Sequence, residues 1–269
     1  MARQNRVTPR AWQEERDMGK EASFTWYGHS CVELRTADGQ VLLFDPWFGN
    51  PTSPRAVDSV SKCDVMLVSH GHHDHLGAFP MQIDSADALT IARRTGAAWP
   101  CIHEMSLWLG EVGAGDAEVI GFNKGGTVDA RGLSVSMVQA QHSAGDWIGG
   151  GATGGSVYLG EPAGFVVGAG DGSRVYFAGD TDVFSDMALV GELHQPDVAF
   201  LPIGGHYTMG PRGAARAAQM LGVRAVVPIH YGTFPVLVGT PDELRRELDA
   251  LGAPVEVVAP ERGAETALP

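Results

Sequence analysis

The chain has 269 residues, 44% of them hydrophobic, with a formal net charge of −13 and three cysteines. Such a length points to one or two domains with a large buried core. The acidic balance, with no cluster of Lys and Arg, argues against a nucleic-acid partner. Cys31, Cys63 and Cys101 are widely spaced and form no Cys-x-x-Cys pair, which argues against a disulfide framework and fits a reducing compartment.

In chain order, residues 1–22 read as an N-terminal tail, with a sparse apolar pattern over 10–20 that would allow a short helix. This start lacks the apolar core of a signal peptide, and no apolar stretch approaches the ~20 residues of a membrane helix. A cytoplasmic protein without an integral membrane segment is therefore expected. From Ser23 the text turns strand-like: SFTWYGHSCVELRT and QVLLFDPWF flank Ala37-Asp38-Gly39, a hairpin signal. NPTSPRAV (50–57) reads as a loop, and an apolar strand follows at 65–69. Helices are expected at 86–94, closed by Gly96, and at 101–113. Strands follow at 118–122, 126–130, 133–141, 163–168 and 174–178. A short helix at 183–190 precedes a buried strand at 197–203. A helix opening on Gly210-Pro211 runs to Leu221, with Pro where a missing N–H does no harm. A strand at 224–229, a helix at 242–251 and a strand at 254–258 complete the chain. Meandering strands with helices between them predict one mixed α/β layered domain over 23–269.

The densest chemistry lies in VMLVSHGHHDHL (65–76), where a buried strand ends at Ser69 and His70, His72, Asp74 and His75 follow. Extended backbone sends residues two apart to the same side, so His70 and His72 point together. Gly71 lets the chain turn between them. Asp74 and His75 come at the next turn, from another direction. Two diverging pairs suit two neighbouring metal ions, and imidazole with carboxylate is the ligand chemistry that borderline and hard metals need.

Further candidates each close a predicted strand: His142, Asp180, His206 and His230. Strand ends on one side of a layered domain converge on a common surface. His70, His72 and His142 would hold one ion, Asp74, His75 and His230 the second, and Asp180 would bridge them.

These residues carry a resemblance. The text HxHxDH at 70–75, His142, Gly-Asp-Thr at 179–181 and His230 resembles the metallo-β-lactamase superfamily. TWYGHSCVEL, LLFDPWF, YFAGDTDVF, LPIGGHYTMGP and VVPIHYGTFP narrow it to metal-dependent hydrolases near the ascorbate-6-phosphate lactonase and N-acylphosphatidylethanolamine phospholipase D types. The resemblance implies a four-layer αβ/βα sandwich with the site at one edge of the two sheets, and a homo-oligomer. No Cys stands at a ligand position, which separates this chain from the penicillin-cleaving zinc enzymes that use one.

Two divalent ions, Zn or Mn, ~3.5–4 Å apart would share a hydroxide as nucleophile, oriented by Asp74. No G-x-S-x-G elbow offers a protein nucleophile. Asp45, at the end of LLFD, would hold a ligand His by its free N–H, or serve as a turn residue before Pro46. His206 would bind substrate or protonate a leaving group. His29 would line the cavity or satisfy the core. The Gly-rich 143–157 stretch, with Trp147 and Tyr158, would form a flexible lid over the metals, or a surface loop. The expected activity is a dinuclear metal hydrolase acting on a small ester, lactone or phosphoester. The alternatives are a phosphodiesterase or nuclease, and a metal-binding protein without turnover.

Overall fold

The computed structural model describes residues 21–78, 85–148 and 155–269. The tail expected over 1–22 therefore lies outside the described residues except for its last two. Of these, Ala22 is buried and its carbonyl accepts the Leu268 N–H at 2.8 Å.

The first half contributes β1 (Ser23–Trp26), β2 (Val32–Arg35), β3 (Val41–Phe44), β4 (Val65–Leu67), β5 (Ala98–Ile102) and β6 (Glu118–Phe122), with α1 (His73–Leu76), α2 (Asp87–Thr95) and α3 (His103–Val112). Next come β7 (Thr127–Ala130), β8 (Leu133–Gln139), β9 (Gly145–Ile148), β10 (Gly155–Tyr158), β11 (Ala163–Gly168) and β12 (Arg174–Phe177). The remainder holds α4 (Met187–His194), β13 (Val198–Pro202), α5 (Pro211–Leu221), β14 (Ala225–Ile229), α6 (Pro241–Leu251), β15 (Glu256–Val257) and β16 (Glu265–Ala267). One seven-stranded sheet runs β16-β1-β2-β3-β4-β5-β6 and the other β15-β14-β13-β12-β11-β8-β7, while β9 and β10 form a separate pair.

The parallel strands of the second sheet show why their sequences are apolar at every position. Val175, Phe177, Val198, Phe200, Val227 and Ile229 face the core between the sheets. Their neighbours Tyr176, Ala199, Leu201 and Val226 face a second core beneath the helices, with Ala214, Ala218, Leu244 and Leu248 of α5 and α6. A period of two thus serves two apolar layers at once. Rings lock the sheets together: Phe44 stacks on Phe177 at 4.6 Å, and Phe24 meets Phe200 edge-on at 5.2 Å. Leu89 and Ile91 of α2 and Met105 and Leu109 of α3 join the core from the first half. The architecture is the expected four-layer αβ/βα sandwich.

Strand direction positions the site. β3 and β4 are parallel, and β1 runs with them through two antiparallel pairings with β2. β12, β13 and β14 are parallel, and β8 shares their direction through β11. The C-terminal ends of each set therefore open on one rim of its sheet.

Several elements depart from expectation. The helix expected at 101–113 begins at His103, after strand β5. Cys101 and Ile102 pair parallel with Gly121 and Phe122 of β6, which keeps the chain extended up to His103. The helix expected at 183–190 starts at Met187, because Phe184 to Met187 close a turn first. The Gly-rich stretch is not simply loop: Gly145–Ile148 pairs antiparallel with Gly155–Tyr158. No helix among the described residues is long and apolar enough to cross a membrane.

Candidate metal centre

His70 follows three residues after β4, and its Nδ1 lies 2.9 Å from Ser69 Oγ. His70 Nε2 lies 2.9 Å from His72 Nδ1, so both rings aim at one point. His72 caps α1, a single turn closed by Gly77 in the left-handed region, and this turn carries Asp74 and His75 away in another direction. Gly71 is required by packing: a Cβ there would stand 2.8 Å from Cβ of the buried Leu159.

The second sheet supplies the rest. His142 follows β8, and its ring lies 5.1 Å from His70 and 5.2 Å from His72. Asp180 follows β12 through Gly179, whose φ is 60° and where a Cβ would come within 2.5 Å of Ser69 Cβ. The two halves therefore meet backbone against side chain at this point. Thr181 Oγ1 accepts the Gln141 N–H at 2.9 Å, tying the Asp180 loop to that of His142. His230 follows β14, and its N–H donates to the His29 carbonyl at 2.8 Å.

Donor atoms gather into three groups, each spanning less than 4.8 Å: His70, His72 and His142; His29, Asp74, His75 and His230; and His70, His75 and Asp180. Asp180 stands between the first two. Its Oδ1 lies 3.3 Å from His75 Nε2, and its Oδ2 lies 3.1 Å from His230 Nε2 and 3.5 Å from His142 Nε2. Yet His75 Nε2, His230 Nε2 and Asp180 Oδ1 are buried and make no hydrogen bond among the described residues. Buried polar atoms are normally satisfied. A divalent cation would satisfy all three, so the donor set fits a metal.

Comparison with known proteins agrees. The family described as the β-lactamase superfamily domain matches residues 40–231. The chain belongs to the β-lactamase superfamily. Within it the chain is 40% identical to a UPF0173 metal-dependent hydrolase of Herpetosiphon aurantiacus over 243 residues, which cover 90% of this chain and 95% of the relative. It is 44% identical to one of Archaeoglobus fulgidus, covering 87% and 94% of the two chains. It thus belongs to the UPF0173 metal-dependent hydrolases. Its fold matches Igni18, a metallo hydrolase of Ignicoccus hospitalis, with a TM-score of 0.77 at 35% identity over 92% of this chain and 99% of that one. An isothiocyanate hydrolase from Delia radicum gut bacteria shares the fold at 18% identity, with a TM-score of 0.66 over 91% and 98% of the two chains.

Around the donors of this superfamily member, Asp45 is fully buried and takes three hydrogen bonds. Its Oδ1 accepts the Ser69 N–H at 2.7 Å, and its Oδ2 accepts Ser69 Oγ–H at 2.7 Å and faces His75 Nδ1 at 2.6 Å. With Nδ1 toward Asp45, His75 turns Nε2 to Asp180 at 3.3 Å. Three residues other than glycine hold positive φ here: His29 at 50°, Asp45 at 41° and His230 at 55°. Such strain gathers at functional sites.

Electrostatics follow from burial and pairing. Burial pushes His29 down to about 4, assisted by the neighbouring His230. Burial likewise takes His142 down to about 4, against the pull of Asp180. His70 is depressed by burial and then by His75 and His72. Burial opposes charge on His75, but Asp180 and Asp45 outweigh it and raise this group. Burial also opposes charge on Asp74 and Asp180. The hydrogen bond to His29 wins at Asp74, and His230 with His75 wins at Asp180, so both stay well below the usual carboxylate range.

The other expected residues are spread more widely. His206 is exposed at the rim after β13, its ring 4.5 Å from Tyr207 and outside the three donor groups. Its loop is anchored by Gly204, where a Cβ would collide with the His230 carbonyl. Tyr158 is 60% exposed, whereas Leu159 beside it packs on Gly71. Trp147 pairs with Ser156 through β9, and its side chain lies outside the described residues, as does 149–154 of the expected lid. Two aromatic walls were not anticipated: Trp47 stands edge-on to His29 at 5.1 Å and Phe234 at 5.7 Å. DPWF and YGTFP hold both residues, but only the fold brings them to His29.

Proposed function

We propose that residues 23–269 form one catalytic domain, a dinuclear hydrolase of small ester, lactone or phosphoester substrates. One observation carries this reading: a buried carboxylate, Asp180, stands within 3.5 Å of histidines from two donor groups, and its Oδ1 has no hydrogen-bond partner among the described residues. His70, His72 and His142 would hold one Zn or Mn ion, Asp74, His75 and His230 the other, and Asp180 both. Bound there, such ions supply a water acidified from a pKa of 15.7 to about 7 and a Lewis acid for the carbonyl or phosphoryl oxygen.

The chain's own residues prepare that chemistry. Asp45 and Ser69 keep the proton of His75 on Nδ1, leaving Nε2 as a donor pair. Asp74, whose side chain is partly exposed, would orient the attacking water. His206, exposed at the rim, is assigned the leaving-group proton. Phe234, half-buried beside His29, offers an apolar surface next to the cluster, which suits an organic substrate. The net charge of −13 counts against a nuclease, and the complete donor set counts against a site without turnover.

A reducing cytoplasm suits the thiols of Cys63 and Cys101, which burial raises to about 12 and leaves unreactive. Light scattering tests the homo-oligomer that the resemblance implies.

The test of the activity is a turnover screen of Mn- and Zn-loaded protein on lactone, ester and phosphodiester panels, with Asp180→Asn beside it. Lactone, ester or phosphomonoester turnover that disappears in the variant is expected. Turnover on phosphodiesters alone would favour the nuclease reading, and turnover indifferent to Asp180 would refute the site.

A further inference from the structure

His29 stands outside the seven expected ligands, yet it touches both halves of the site. Its side chain is fully buried, with Nε2 3.1 Å from Asp74 Oδ2. Its carbonyl accepts two hydrogen bonds, from the His230 N–H at 2.8 Å and from Trp26 Nε1–H at 2.9 Å. Its ring is confined by His230 at 4.0 Å, Trp47 at 5.1 Å and Phe234 at 5.7 Å. The preceding Gly28 has φ 96°, and a Cβ there would collide with Asn50 and Thr52. The backbone at 28–29 is thus built for this placement.

We propose that His29 is a positioning residue. Through its Nε2–H it holds one oxygen of Asp74, and through its carbonyl it holds the backbone of His230, so that both present fixed donors to the second ion. The inference rests on the two-ion reading above.

The chemistry follows from the hydrogen-bond inventory. A carboxylate accepts only, so the proton of the 3.1 Å contact sits on His29 Nε2. That nitrogen then has no lone pair for a metal. Nδ1, which carries the lone pair, is buried and without a hydrogen-bond partner among the described residues, and the ring packs against His230, Trp47 and Phe234. The other oxygen of Asp74, Oδ1, lies 4.0 Å from His75 Nε2. One oxygen is therefore tied to the protein and the other is available to the ion. Outer partners of this kind are worth about 10–100-fold in metal affinity.

Two variants of the full-length protein test this by competitive titration of Zn against a chromophoric chelator, with elemental analysis of bound metal. In His29→Gln the amide nitrogen reaches about as far as Nε2 and keeps the donor. In His29→Asn the amide reaches only as far as Nδ1, while Asn suits the left-handed backbone at least as well as His. His29→Asn is expected to bind the second ion about 10–100-fold more weakly with the first unchanged, and His29→Gln to stay within about threefold of the parent. Two ions held with parental affinity by His29→Asn would overturn the inference alone. Equal loss in both variants would overturn it too, since it would make the ring nitrogen itself the requirement. One ion in the parent protein would overturn the two-ion reading and, with it, the inference.

Discussion

Replacing Asp45 with Asn separates the support of the centre from the centre itself. The carboxylate is fully buried, at φ 41°, and accepts from Ser69 N–H, Ser69 Oγ–H and His75 Nδ1–H at 2.6–2.7 Å. Asn has the same shape and tolerates the left-handed backbone, so the substitution changes chemistry alone. Its NH2 must face either the Ser69 N–H or the His75 Nδ1–H, and either choice sets donor against donor. A buried polar group left unsatisfied costs about 1–3 kcal/mol, or roughly 2–10 °C in Tm for a chain of this size. His75 can relieve the conflict by moving its proton to Nε2, which removes a lone pair from the metal. The expected loss of metal affinity is then about 10–100-fold, equivalent to roughly 1.4–2.7 kcal/mol. Thermal melts and elemental analysis after dialysis against graded chelator measure the two effects. Parental Tm together with parental metal retention would refute the assignment of Asp45 as the partner that orients His75.

Gly179→Ala should destabilise by about 1–3 kcal/mol, because φ is 60° and the new Cβ would press on Ser69, and urea melts should show it. Phe200→Ala should cost about 3–5 kcal/mol, since Phe200 is fully buried between the sheets against Phe24 and Phe177; a shift of under about 1 kcal/mol would contradict the packing. In metal-free protein, His29 takes a proton at about 4 when folded and near 6.5 when unfolded, so the unfolded chain binds more protons between those values. Stability should therefore fall as pH drops from about 6.5 to 4, by at most about 3 kcal/mol from this residue. His142 adds in the same direction. His75, raised when folded, makes the metal-free protein lose stability as pH rises above about 6.5. Urea melts of chelator-treated protein across pH 4.5–8 check both limbs, and a flat acid limb would refute the first.

The donors were legible because their spacing is local: four of them fall within six residues after a strand, and the rest each follow a strand of their own. Period-two apolar text fixed those strand ends, and parallel neighbours brought them to one rim. What escaped was tertiary. Left-handed φ at His29, Asp45 and His230 leaves no glycine to mark it. The bond from His29 to Asp74 spans 45 residues and has no pattern along the chain. β16 is a three-residue edge strand, exposed at both ends, with too little alternation to announce itself. β9 and β10 lie in glycine-rich text whose propensity opposes strand, so pairing overrides composition there. The extended entry to α3 is tertiary too, since Cys101 and Ile102 are held as strand by pairing with Gly121 and Phe122.

The most direct test of the central claim is the metal content of the full-length protein, by elemental analysis after loading with Zn or Mn and removal of excess ion, alongside Asp180→Asn. The account predicts two ions per chain in the parent, loss of at least one in the variant, and turnover that disappears with it. A single ion per chain in the parent, or two ions retained in the variant with full turnover, would contradict it.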